Sequence, residues 1–109
     1  MSVSEVVDVR VVQDADGYVV EASGDLDLAG VEAMNRAVQA VHAARVRTDD
    51  PLVIDLAGVE FMDSEGLRAL LMARELAGGS ASSVVLRGPS DAVLVTLALA
   101  GLGDAFTVA

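Results

Sequence analysis

Apolar residues at Leu28, Val31, Met34, Val38 and Val41 recur at the spacing of one helix face, and Glu32 and Arg36 stand four apart on the other. An amphipathic helix is therefore predicted over 28–45. The segment before it has a different rhythm. Val6 to Gln13 is Val-rich and loosely alternating, Asp14-Ala15-Asp16-Gly17 supplies turn chemistry, and Tyr18 to Ala22 resumes a β-branched and aromatic run, which reads as a hairpin. After a polar connector, Pro51 opens the run Leu52-Val53-Ile54, expected to be a central strand covered on both faces. A short loop should follow it. Leu67, Leu70, Leu71, Arg74 and Ala77 then recur at helical spacing until Gly78-Gly79 stops a second helix. Ser83 to Arg87 reads as another strand, and Gly88-Pro89-Ser90 breaks it. Ser90 is placed to cap a third helix from Asp91 to Ala100, ended by Gly101, and Phe106-Thr107-Val108 adds a last short strand. The pattern predicts a single-domain α/β fold over 1–109: a mixed β-sheet of four to five strands with parallel central strands, an N-terminal hairpin and about three helices.

Composition narrows what such a domain can do. The chain has 109 residues, enough for one core, and 53% of them are hydrophobic, which rules out a disordered protein. With two Phe, one Tyr and no Trp, the core must be built from Val, Leu, Ala, Ile and Met, which suits thin helix-on-sheet packing. Seventeen acidic residues face seven basic ones, a net charge of −10. Such a surface repels phosphate backbones and anionic lipid heads, so a protein partner is expected rather than nucleic acid or membrane. There is no Cys, hence no thiolate metal site or cysteine nucleophile. His42 is the only His and sits late on the first helix, where a helix-edge role is expected. No metal, cofactor or catalytic constellation is visible, and an enzyme is not expected. The N-terminus lacks a signal-peptide pattern, and the longest apolar stretch, 92–102, is shorter than the roughly 20 residues a membrane span needs, so a cytoplasmic location is expected.

Two local features ask for more than packing. The third helix is apolar nearly all round, which demands full burial or a contact surface, so helix 91–100 is a candidate site for a partner or a homodimer. The second feature is Phe61-Met62-Asp63-Ser64-Glu65-Gly66-Leu67-Arg68, where a strand delivers one hydroxyl to a helix start. The first N–H groups of a helix are unpaired and partially positive, so a phosphate there is stabilised without a basic side chain. Ser64 reads either as an N-cap or as a modifiable switch. Gly66, one turn into the helix, costs about 1 kcal/mol relative to Ala, offset either by close packing on the sheet or by the approach of a partner backbone. Phe61 and Met62 are expected to point inward as anchors. Asp27 reads as a cap for the first helix, with Gly30 as a competitor.

Asp55-Leu56-Ala57-Gly58-Val59-Glu60-Phe61-Met62-Asp63-Ser64-Glu65-Gly66-Leu67 closely resembles the signature of STAS-domain anti-sigma factor antagonists, whose core is Asp-Ser-(Ser/Thr)-Gly-Leu. Gly24-Asp25-Leu26-Asp27 is similar to that family's Gly-Glu-Leu/Ile-Asp block, with Asp25 in place of Glu. The resemblance implies a STAS-like fold and a phosphoacceptor at Ser64, because the family's modified serine directly follows the motif Asp, here Asp63. It also places Asp27 beside the phosphorylation loop. Two departures stand out: Glu65 replaces the usual Ser or Thr, and Arg68 stands where Gly is common.

The resemblance implies an anti-sigma factor antagonist that binds, when unmodified, an anti-sigma factor that is also a serine kinase of the ATPase type, releasing a sigma factor. Phosphorylation at Ser64 would break the complex and a phosphatase would reset it. The expected contact residues are Asp25, Asp27, Asp63, Glu65, Gly66, Leu67 and Arg68. The alternative keeps the fold and drops the cycle, leaving a constitutive docking or scaffold subunit of a sensor or transport complex, for which Glu65 is the best argument.

Overall fold

Two strands joined by the turn after Asp14 open the computed structural model, which describes residues 8–15, 17–45 and 50–109. Strand β1 (Asp8–Asp14) pairs antiparallel with β2 (Gly17–Leu26), and Gly17 takes a positive φ that the tight turn requires. Helix α1 (Leu28–Ala44) leads to β3 (Leu52–Met62), α2 (Ser64–Ala77) to β4 (Val84–Arg87), and α3 (Asp91–Leu99) to β5 (Thr107–Val108). The sheet order follows the chain, β1-β2-β3-β4-β5, with every pairing after the first parallel. This is the mixed sheet with a hairpin and three helices that the sequence predicts. Val6, Val7, Asp16 and residues 46–49 of the connector lie outside the described residues.

Burial along β3 departs from expectation. Leu52, Ile54 and Leu56 are buried while Val53 and Asp55 between them are only partly covered, so the helices cover one face of the sheet rather than both. The buried strand positions pack with Met34, Val38 and Val41 of α1, Leu67, Leu70 and Ala73 of α2, and Val93 and Leu97 of α3 in one cluster. The open face carries charge instead. The Arg87 guanidinium donates to Asp14 at 2.8 Å and to Asp55 at 3.3 Å, and Arg10 lies 3.6 Å from Glu21. The hydrogen bond to Asp14 holds Arg87 above its ordinary pKa against desolvation by burial, with the hydrogen bond to Asp55 adding a lesser push in the same direction.

Two apolar residues, Leu28 expected in the core from its spacing and Phe61 as a loop anchor, lie outside it. Leu28 occupies the first turn of α1, before the helix has settled on the sheet, and is 70% exposed; Gly30 takes the inward position. Phe61, expected to point inward, is 48% exposed, because β3 runs as strand to Met62 and, past shifts in its register with β2, buries Val59 and Met62 and leaves Glu60 and Phe61 outside. Met62 is buried as expected. The Glu32–Arg36 pair forms at 2.8 Å on the solvent side of α1, and His42 sits at the helix edge with Nδ1 2.9 Å from the Arg45 guanidinium. Helix α3 buries Val93 and Leu97 and leaves Leu94, Val95 and Leu99 exposed.

Candidate functional site

Strands β2 and β3 end side by side, Leu26 opposite Met62, and each passes through a single aspartate into a helix. The two crossings are alike: Leu26-Asp27-Leu28 starts α1 and Met62-Asp63-Ser64 starts α2. Parallel neighbours lie about 4.8 Å apart, so two helix N-termini open together on one edge of the sheet. The positive ends of the two helix dipoles make that edge favourable to negative charge.

Both aspartates act as caps. Asp27 accepts from the Ala29 N–H at 3.1 Å, and its carbonyl accepts from the Gly30 N–H at 2.9 Å, so Asp27 rather than Gly30 caps α1. Asp63 accepts from the Glu65 and Gly66 N–H groups at 2.9 and 3.2 Å. Asp63 therefore fills the role that the N-cap reading gives to Ser64. Ser64 is the first helical residue, it is exposed, and its hydroxyl takes part in none of the hydrogen bonds among the described residues. No loop separates strand from helix here; one residue makes the turn.

Gly66 explains how the helix start can lie so close. A Cβ at this position would stand 2.2 Å from the Leu26 carbonyl oxygen and 2.7 Å from Met62 Cγ. Of the two readings of Gly66, the geometry carries close packing: the first turn of α2 rests on the last backbone unit of β2. Leu67 beside it is buried, at 8% exposure. Gly66 and Leu67 thus lie buried beneath the helix start, whereas Asp25 is the last residue but one of β2, Asp27 caps α1, Glu65 is half-buried and Arg68 exposed. The Arg68 guanidinium lies 3.6 Å from the Glu65 carboxylate, one turn apart on the helix.

Three residues at this edge escaped sequence reasoning. Phe61, paired with Asp25 at the end of β3, and Leu28, the counterpart of Ser64 on α1, leave exposed apolar surface at the strand end and helix start. Alternation alone would not have found Phe61, because β3 buries Leu56, Val59 and Met62 three apart where its register with β2 shifts. Thr96 donates to the Met62 carbonyl at 2.9 Å, tying α3 to the end of β3 just before the site. Nothing in its apolar surroundings signals that bond. Among the described residues no group of His, Cys, Asp and Glu is arranged to hold a metal ion, and no helix is long and apolar enough to cross a membrane.

A small single-domain α/β fold of this kind, three helices on a five-strand mixed sheet, matches solved anti-sigma factor antagonists. A sequence-family model described as Mlab, STAS domain, matches residues 9–108, and the chain belongs to the STAS domain family. An anti-sigma factor antagonist from Mycobacterium paratuberculosis is 31% identical, with 99% of this chain and 89% of that one covered and a TM-score of 0.73. A serine-to-glutamate variant of RsbS from Moorella thermoacetica is 26% identical over 93% of this chain and 85% of its own, with a TM-score of 0.69. The anti-sigma factor antagonist SpoIIAA in its unphosphorylated form shares the fold at 21% identity, over 94% and 88% of the two chains, with a TM-score of 0.71. No curated protein matches the chain. The similarity to anti-sigma factor antagonists supports a general role of that kind.

Proposed function

We propose that this domain is a binding switch: unmodified, it docks on an anti-sigma factor that is also a serine kinase and so frees a sigma factor, and phosphorylation of Ser64 by that partner ends the complex. The observation that carries this reading is the exposed Ser64 hydroxyl at the first position of α2, relieved of capping by Asp63. A kinase can reach it without unfolding the helix. The docking face comprises Ser64, the carboxylates of Asp25, Asp27, Asp63 and Glu65, Arg68, and the apolar Phe61 and Leu28. A phosphate adds about −1.5 to −2 charge units at a surface already rich in carboxylates. The helix dipole tolerates that charge in the folded protein, while a partner fitted to the unmodified surface meets repulsion and an extra desolvation cost. Modification thereby changes affinity with little change in fold, and a phosphatase restores the docking form.

The direct test is incubation with candidate anti-sigma factor kinases and ATP, read by intact mass. The wild type should gain one phosphate and Ser64→Ala none; a Ser64→Ala protein modified as fully as wild type would sink the assignment. A constitutive docking subunit is the second reading, favoured by the permanent charge of Glu65 beside the hydroxyl. It predicts partner binding unchanged by both Ser64→Ala and Ser64→Asp. The exposed Leu94, Val95 and Leu99 keep α3 a candidate for the homodimer contact, which sedimentation of the purified chain would detect.

A further inference from the structure

We infer that Arg68 is the intramolecular donor to the phosphate placed on Ser64, and that phosphorylation moves its guanidinium from Glu65 to the new phosphate. This rests on the switch reading of Ser64 and concerns what the modification does to the docking face. Arg68 stands four residues after Ser64 and three after Glu65, so both are its neighbours on the helix surface. Helical side chains lean toward the N-terminus, which carries the long Arg68 side chain back over the first turn. In the unmodified protein it already does so, with Nη1 3.6 Å from Glu65 Oε1. At that separation, and with Arg68 72% and Glu65 37% exposed, the pair is weak and easily exchanged.

A phosphate offers more than the carboxylate it would replace. It brings about −1.5 to −2 charge units and three acceptor oxygens, and the planar guanidinium fork matches it bidentately. No other basic residue lies in the first two turns of α2. The other charged residues at the adjoining ends of β2 and β3 and in the starts of α1 and α2 are acidic: Asp25, Asp27, Glu60, Asp63 and Glu65. Two things then change at once on phosphorylation. A negative group appears, and the Arg68 cation is withdrawn from any partner carboxylate it had faced. The clamp also neutralises part of the phosphate, so local repulsion alone does not account for release.

The test places phosphoserine at position 64 during synthesis, by codon reassignment, so that no kinase is needed, and follows the phosphate by phosphorus NMR across its second titration near pH 6. With Arg68 donating to the phosphate the dianion is stabilised, and Arg68→Ala should raise the phosphate pKa by about 0.3 unit, the scale of a one-turn helical ion pair. The shift should be larger in a Glu65→Gln background, where the competing carboxylate is gone. Superimposable titrations with and without the Arg68→Ala substitution, in both backgrounds, would overturn the inference. A clear shift combined with no modification by any candidate kinase would leave the clamp standing and remove the switch reading, so the two fail separately.

Discussion

Replacing Gly66 with alanine sets two measurable effects against each other. Helix propensity favours the substitution by about 1 kcal/mol. Packing opposes it, because the added methyl would sit 2.2 Å from the Leu26 carbonyl oxygen and 2.7 Å from Met62 Cγ. Even a close carbon-to-oxygen contact is about 3.3 Å, so the helix start or the strand end must move by roughly 1 Å. Neither yields readily: the oxygen belongs to strand backbone, Met62 is 4% exposed, and Asp63 ties down the first turn. Overpacking at rigid sites costs about 1–3 kcal/mol and occasionally more, and here the upper end applies, leaving a net loss of about 2 kcal/mol. In a domain of this size each kcal/mol moves Tm by about 4–8 °C, so thermal unfolding followed by circular dichroism should show a fall of about 8–16 °C. Gly103→Ala is the control, since nothing lies within 4 Å of a Cβ there. A Gly66→Ala protein with unchanged or raised Tm would show that the helix start does not rest on the strand end, and the geometry of the site would have to be redrawn.

The division of labour between Asp63 and Ser64 predicts that Asp63→Ala loses about 1 kcal/mol in urea unfolding while Ser64→Ala stays within about 0.5 kcal/mol of wild type; the opposite order would return the cap to Ser64. Leu28→Ser and Phe61→Ser, both at exposed positions, should leave stability within about 0.5 kcal/mol yet weaken binding to an anti-sigma factor in calorimetry, whereas Ile54→Ala in the core should cost about 2–5 kcal/mol. Arg74 donates to the Ala105 carbonyl at 3.0 Å and lies 5.8 Å from the centre of the Phe106 ring, so Arg74→Met should cost about 1–2 kcal/mol, and an unchanged denaturation midpoint would refute that anchoring role.

The elements are legible because each carries its own punctuation. Gly78 and Gly101 end helices with positive φ, Ser90 caps α3 through its hydroxyl at 3.4 Å from the Val93 N–H, and the Asp14–Gly17 turn joins β1 to β2. The site residue Ser64 is legible as a helix-start hydroxyl. What the pattern misjudges is direction. An apolar run such as Leu52-Val53-Ile54 is the same string whether one or both faces are covered, and here a charged network, Arg87 with Asp14 and Asp55, takes the second face. Leu28 fits the helix stripe by spacing but lies before the helix meets the sheet. Phe61 reads as part of a loop, while β3 runs as strand up to the capping Asp63. The close approach at Gly66 depends on Leu26, on a strand far earlier in the chain, and no local pattern reports a contact of that kind.

If one hydroxyl, Ser64, decides whether the domain docks, its state must change affinity. Isothermal titration of a purified anti-sigma factor with unmodified protein and with protein carrying phosphoserine at position 64 reads that change. The unmodified form should bind, and phosphorylation should weaken binding at least about tenfold, a loss of about 1.4 kcal/mol or more. Equal affinity for the two forms, with the fold intact in both, would contradict it.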